Sequence, residues 1–361
     1  MTRLVLLGGG HSHVEVLLQA PTLGMPADIV LVEPHPALPY TGMVPGFIAG
    51  FYGLSDILID LTALCIRAGA ELKRARATSI DARGKVVTCD DGTSVAYDLL
   101  SIDIGSTLDL SVPGAAEHAL AVRPLWRFVQ TWPDVARRTS SIAVVGAGAA
   151  GIELAFAVHR ALVTRGITPS ITVIGDAPRM AAGVSERARM HLEYACSRRG
   201  IRLQLGRRVA EVTDNAVVMD DGAELSADTV MWSTGPAAPA WLRSTGLELD
   251  ERGFLSTDDE LRIGGRPDIY AAGDVASIQA HPRPKSGVYA VRAAPLLARN
   301  LKRALLAQQP ETYVPQRHAL ALIGTGDRRA VAAYGAFGAE GAWVWRWKDR
   351  IDRRFVQRYR V

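Results

Sequence analysis

Apolar residues run without a break from Leu4 to Leu7, three glycines follow at Gly8 to Gly10, and apolar positions then recur at helical spacing from Val14 to Leu18. A short unbroken apolar run predicts a strand buried on both faces, the glycines a tight turn, and the spacing after them an amphipathic helix. The pattern returns in SIAVVGAGAAGIELAF, which begins at Ser141. A second apolar strand follows each time, Ile29 to Val32 and then Ile171 to Ile174. Downstream, KVVTCDDGTSVAYDLLSIDIGS is matched by AVVMDDGAELSADTVMWSTG, and both place a DDG turn between alternating apolar positions, the signal of a hairpin. The spacing repeats as well, since Asp90 to Gly105 and Asp220 to Gly235 are each 15 residues apart.

Two copies of strand, glycine turn, helix, strand, hairpin and closing glycine indicate internal duplication. The fold class that follows is α/β, with two Rossmann-like dinucleotide-binding domains. The first copy covers residues 1–110 and the second 111–236. Residues 237–310 contain DIYAAGD and then a helical run from Gly287 to Leu306. They do not complete a third repeat and are expected to return to the first domain, which leaves the second inserted in it. Residues 311–361 form a separate C-terminal segment.

A chain of 361 residues, 48% of them hydrophobic, buries enough core for two or three domains. The N-terminus runs straight into a strand, so no secretory signal is expected, and no apolar run approaches the ~18 residues that cross a bilayer. Cys65, Cys89 and Cys196 form no C-x-x-C pair, which fits a reducing, cytoplasmic location with membrane contact at most peripheral, at the inner face. The net charge of +4 is spread along the chain except near the C-terminus, and no nucleic-acid partner is expected.

The glycine turns carry the chemistry. In G-x-G-x-x-G the first glycine permits the bend, the second admits a pyrophosphate to the positive end of the helix, and the third lets helix and strand pack closely. The second copy is complete at Gly146, Gly148 and Gly151, whereas the first has Gly8 and Gly10 but His13 in the third place. Glu33, at the end of the second strand, stands where an acid would accept hydrogen bonds from a ribose; a plain surface glutamate is the alternative. In the second copy Gly175 takes that place, with Asp176 next to it and Arg179 three further on. Asp176 would serve a ribose and Arg179 a 2′-phosphate, so NADH and NADPH both stay open, with a slight lean to NADH. The second domain could also keep the fold and bind nicotinamide poorly. His11 and His13 lack the further ligands a metal site needs, and no metal is expected.

With both turns and DIYAAGD in place, the chain resembles the pyridine nucleotide-disulfide oxidoreductase superfamily over nearly its whole length. The resemblance implies FAD in the first copy, bounded by Gly105, and NADH or NADPH in the second, bounded by Gly235. It implies that Asp274, preceded by Gly273, holds the FAD ribitol. His11 and His13 would then lie at the FAD turn, His13 packing beneath the helix or meeting the pyrophosphate. Lys285 to Ala290, including Gly287, Val288 and Tyr289, would present backbone donors and a helix N-terminus to the flavin pyrimidine edge, with Lys285 among the catalytic groups. Thr41, Gly42 and Met43 would lie against the flavin ring, where disulfide reductases carry redox cysteines, and they offer no thiol. Glu153 matches an acid that lies near nicotinamide and flavin and would position groups or handle a proton, although the helix dipole alone also favours a glutamate there.

Within the superfamily the chain is similar to type II NADH dehydrogenases, which pass electrons through FAD to quinone, in its Pro- and Gly-rich loop before Asp56, Ile57 and Leu61. Where those enzymes carry glutamines it has Val291, Arg292 and Ala293, which leaves a quinone and another small acceptor both open. GGGHSHVEVL, YTGMVPGFIAG, PKSGVYAVRAAPLLARNL and LALIGTGDRRAVAAYG resemble the flavoprotein module found fused ahead of selenide, water dikinase, although no kinase domain follows before Val361. A flavoprotein reductant for a soluble partner in selenium or sulfur metabolism, and a non-catalytic FAD-binding redox sensor, are the competing functions. The C-terminal AWVWRWKDRIDRRFVQRYRV predicts a helix suited to an anionic membrane surface or a protein partner, or one that docks on the body of the protein.

Overall fold

In each copy the strand that leads into the glycine turn is the central strand of a five-stranded parallel sheet. The computed structural model describes residues 2–360. Its first sheet runs in the order Ile269–Ala271, Leu99–Ile102, Arg3–Leu7, Asp28–Val32, Glu71–Lys73. The second runs Ala119–Ala121, Thr229–Trp232, Ser141–Val145, Ser170–Gly175, Arg202–Leu205. These strands read as continuous apolar runs because helices or meanders cover both faces.

Register decides what surrounds each turn. Leu7 lies opposite Val32 and Ile102, and Val145 opposite Ile174 and Trp232. The next residue on each neighbouring strand therefore flanks the glycines: Glu33 and Asp103 at the first turn, Gly175 and Ser233 at the second.

Each copy also carries a three-stranded antiparallel meander, Ala77–Asp81, Val86–Cys89, Ser94–Ala96 and Val209–Val212, Ala216–Met219, Glu224–Ser226. The DDG turns close with Gly92 at φ +78° and Gly222 at φ +80°, a region open to glycine. The duplication extends to a register irregularity in the first strand of each meander. The copies differ in their outer strand. The first sheet takes it from Ile269–Ala271, far downstream, and the second from Ala119–Ala121, upstream of its own glycine strand.

The helix Gly287–Leu305 packs along the first glycine helix, His11–Leu23, through Ala290, Ala293, Ala294 and Leu297, small and apolar residues that allow close approach. The C-terminal strands Ala321–Gly324, Ala330–Tyr334 and Phe337–Gly341 form an antiparallel sheet against the second domain's helices Ala149–Thr164 and Glu186–Arg198. The helix Ala342–Arg358 then returns to the first domain: Tyr359 donates to Glu15 at 2.6 Å and Arg360 to the Ser55 carbonyl at 3.0 Å. One side of this helix is thus docked on the body. The other exposes Trp343, Trp347 and Ile351, one turn apart, beside Arg346, Arg350 and Arg354. Among the described residues no helix is long and apolar enough to cross a membrane.

Candidate active site

At the first turn Gly8 adopts φ +88°, and a Cβ there would lie 2.6 Å from the Asp103 carbonyl oxygen. Glu33 reaches the turn, its Oε2 accepting the Gly9 N–H at 3.0 Å. His13 is fully buried, with Nδ1 2.6 Å from the Gly8 carbonyl and Nε2 2.8 Å from the Ser101 hydroxyl. A carbonyl only accepts, so Nδ1 carries the proton and Nε2 accepts from Ser101. The ring is turned beneath the helix and spends both nitrogens inside the protein. It fills the contact that Gly151 makes in the second copy, where a Cβ would fall 1.9 Å from the Gly146 carbonyl oxygen.

His11 faces the other way. Its ring meets Tyr40 edge-on at 5.5 Å and Phe355 at 5.7 Å, and its buried Nε2 has no partner among the described residues. Burial lowers it to about 4, against the nearby charge of Asp274. An unpartnered buried nitrogen at a glycine turn is a hydrogen-bonding group open to a ligand or a water. Asp274 accepts from Arg123 at 2.9 Å, and the same guanidinium reaches Ser106.

The helix Gly287–Leu305 begins beside this cluster with no side-chain cap and no acid in its first turn. Gly287 lies close to Thr41, so the two segments expected to flank a flavin do meet. Lys285 donates to the Ala276 carbonyl and lies 4.1 Å from the centre of the Phe254 ring. Burial pushes its ammonium down to about 8, while Asp250 and Asp274 pull it up. Gly42 lies against Tyr40 and Asp352, whereas Met43 is fully buried and turned into the core.

At the second turn Gly146 adopts φ +117°. Among the described residues, the amides of Ala147 to Gly151 make no hydrogen bond within the protein. The missing acid has a steric cause: a Cβ on Gly175 would lie 2.5 Å from the Ala147 Cβ. Asp176 is exposed at the strand end, and Arg179 is paired with Glu186 at 3.1 Å.

Between the domains lies a cavity lined by Gly42, Pro45, Phe51, Glu153, Trp345 and Lys348. Glu153 accepts the Gly324 N–H at 2.8 Å and lies 3.8 Å from the Lys348 ammonium. Lys348 also donates to the Gly42 carbonyl at 2.7 Å and to Asp352 at 2.8 Å, and Asp352 accepts from Tyr40 at 3.3 Å. Burial raises both carboxyls; it would lower Lys348, but the two neighbouring carboxylates outweigh it and hold the ammonium above its usual range. Lys348, Asp352, Asp103 and Arg123 were not singled out from the sequence. The one available signal was the i,i+4 pair Lys348–Asp352 on an amphipathic helix. The cysteines are buried away from this chemistry, Cys65 raised to about 11 and Cys196 to about 12 by burial.

A profile of the family described as pyridine nucleotide-disulphide oxidoreductase matches residues 2–294. An NADH dehydrogenase-like protein of Mycobacterium tuberculosis is 32% identical over 299 residues, 77% of this chain and 73% of the relative. A demethylphylloquinone reductase of Synechocystis sp. is 26% identical over 292 residues, 76% of this chain and 72% of the relative. The solved sulfide:quinone oxidoreductase of Aquifex aeolicus superposes with a TM-score of 0.85 at 20% identity, covering 100% of this chain and 92% of that one, a likeness of fold.

Proposed function

Because the chain belongs to the pyridine nucleotide-disulphide oxidoreductase family and is an NAD(P)H-linked oxidoreductase, we propose that it oxidises NADH through FAD and delivers the electrons to a quinone. The observation that carries this reading is the cavity between the domains, where Lys348 ties the flavin-facing Gly42 to Glu153 under a wall of aromatic side chains. The first turn suits FAD through Glu33, Asp274 and the unpartnered Nε2 of His11. Bound there, FAD supplies the capacity to accept a hydride and release electrons.

The protein positions and polarises the reactants. The free amides of Ala147 to Gly151, at the positive end of their helix, hold the nicotinamide nucleotide's pyrophosphate. Asp176 is free to take the adenosine ribose, while Arg179 is engaged by Glu186, which favours NADH over NADPH. The uncapped start of the helix Gly287–Leu305 and the Lys285 ammonium place positive charge at the flavin edge. Glu153 and Lys348 keep a transferable proton beside the cavity, which the acceptor needs on reduction. Phe51 and Trp345 put aromatic faces beside the cavity, which is about the size of one water molecule and has to open to admit a flat apolar ring. The quinone reductase among the relatives supports that acceptor. The outer face of the C-terminal helix, with Trp343, Trp347 and Ile351 beside three arginines, suits an anionic membrane surface from which a quinone could enter. Turnover of NADH by the FAD-loaded protein with a short-chain ubiquinone tests the assignment. NADH oxidation that quinone does not accelerate would refute it.

A further inference from the structure

The anion-binding end of the first glycine helix is already occupied by a side chain of the protein. Asp103 is 3% exposed, and its Oδ2 accepts the Ser12 N–H at 2.7 Å and the His13 N–H at 3.4 Å. The Gly8 N–H goes to Val32, that of Gly9 to Glu33, and that of Gly10 to the Asp103 carbonyl. Of the amides from Gly8 to His13, only that of His11 lacks a partner among the described residues. At the second turn the counterpart of Asp103 is Ser233, no carboxylate reaches the helix, and five successive amides stay open. The packing is built around this carboxyl: a Cβ on Gly10 would lie 2.2 Å from its Cγ and one on Gly273 2.1 Å from its Oδ1.

Resting on FAD binding at this turn, we propose that Asp103 takes up a proton when FAD binds, so that FAD retention weakens as pH rises. A carboxylate and a pyrophosphate compete for one helix end, and in a buried site two like charges repel strongly. Protonated, Asp103 donates to a phosphate oxygen instead of repelling it. Burial already lifts Asp103 to about 7 against the hydrogen bonds from Ser12 and His13, with Asp274 pushing the same way. On the glycine helix, His11 and His13 are held at about 4 and stay neutral. From the neighbouring strand Glu33 faces Gly9, and beyond Gly273 Asp274 is paired with Arg123. The helix Gly287–Leu305 brings only the Ala290 carbonyl, which accepts from Ser12. Lys285, at about 8 on the flavin side, is the other group that titrates in this range.

Binding an anion beside Asp103 raises its affinity for a proton, so the Kd for FAD climbs by up to about tenfold per pH unit once the free protein loses that proton. The test is to strip FAD from the full chain and titrate it back from about pH 6 to about pH 9, counting protons calorimetrically in two buffers of different ionisation heat. The wild type should weaken by about 100-fold and take up about one proton per FAD at the alkaline end. Asp103→Asn should be flat and bind more tightly than wild type at high pH. Asp103→Ser, which copies the second turn, should also be flat and covers the case in which the asparagine variant does not fold. A flat wild type, or a slope that persists in both variants and so belongs to Lys285, overturns the inference but leaves FAD binding intact. Failure to bind FAD at any pH overturns the function reading as well.

Discussion

Lys348, on the C-terminal helix, donates to the carbonyl of Gly42 at 2.7 Å, across 306 residues of sequence, and stands between Asp352 at 2.8 Å and Glu153 at 3.8 Å. One ammonium thus serves two buried carboxyls, Asp352 on its own helix and Glu153 on the second glycine helix, beside the cavity assigned to the acceptor. A buried pair of this kind is costly to break from one side. Glu153→Gln and Lys348→Met are expected to slow quinone reduction on the order of 10²-fold, the usual range for a proton-handling group. Flavin reduction by NADH should stay within about twofold in Glu153→Gln, which separates proton delivery from hydride transfer. Equal losses in both half-reactions would make Glu153 a nicotinamide-positioning residue.

The proposed preference for NADH is argued from Asp176 and the Arg179–Glu186 pair. NADH should reduce the flavin at least about tenfold more efficiently than NADPH, since a 2′-phosphate would face the Asp176 carboxylate. In Asp176→Ala combined with Glu186→Gln, which frees Arg179, the ratio of kcat/KM for the two nucleotides should move toward NADPH. An unchanged ratio would remove both residues from the specificity site.

Lys285 sets a pH dependence of definite sign. Its ammonium is held down to about 8 by burial, so the positive charge proposed to face the flavin edge is present below that pH and lost above it. With FAD saturating, the rate of flavin reduction should fall as pH rises through about 8 in the wild type. Lys285→Met should be slower by roughly tenfold at low pH and show no such step.

Three buried groups at the first turn make its stability depend on acid: His13 and His11, both lowered by burial, lose stability as pH falls, and Asp103, raised by burial, offsets part of that loss. Burial lowers the His13 ring from 6.5 to about 4. At this site the unfolded chain therefore binds a proton first as pH falls, and the His13 contribution to stability is lost between those two values, by roughly 3 kcal/mol at the lower end. Urea titrations across that range should show wild-type stability falling by roughly 3 kcal/mol more than that of His13→Gln, which is less stable at neutral pH.

The exposed Trp343, Trp347 and Ile351 should bind vesicles containing phosphatidylglycerol and not vesicles of phosphatidylcholine alone, because Arg346, Arg350 and Arg354 lie beside them. Trp343→Ala with Trp347→Ala should abolish sedimentation with vesicles and leave NADH-dependent flavin reduction unchanged. Retained sedimentation would place the membrane contact elsewhere.

The duplication was legible because it is written in local patterns: apolar runs, glycines and DDG turns each specify a strand or bend without help from the rest of the chain. Glu33 was legible for the same reason, as the residue that ends a strand one register step from the glycines. Asp103 occupies an equally regular place, yet its reach to Ser12 depends on the parallel pairing of Leu4–Leu7 with Leu99–Ile102, which sequence spacing does not reveal. The outer strand Ala119–Ala121 is three half-buried residues, too short for a periodic signal. Lys348 and Asp352 read as ordinary charges on a Trp- and Arg-rich helix. Only docking of that helix against Tyr40 and Gly42 makes them a buried pair, just as the fold around the Thr41–Met43 turn carries Met43 into the core.

The central claim is that nicotinamide reduces a flavin held at the first turn and that a quinone reoxidises it. Anaerobic stopped-flow spectroscopy of the FAD-loaded protein follows this directly, by mixing first with NADH or NADPH and then with a short-chain ubiquinone. The account predicts rapid bleaching of the visible flavin band by NADH and its recovery on addition of quinone. A flavin that neither nucleotide bleaches would contradict it and leave the bound FAD a structural or sensing ligand.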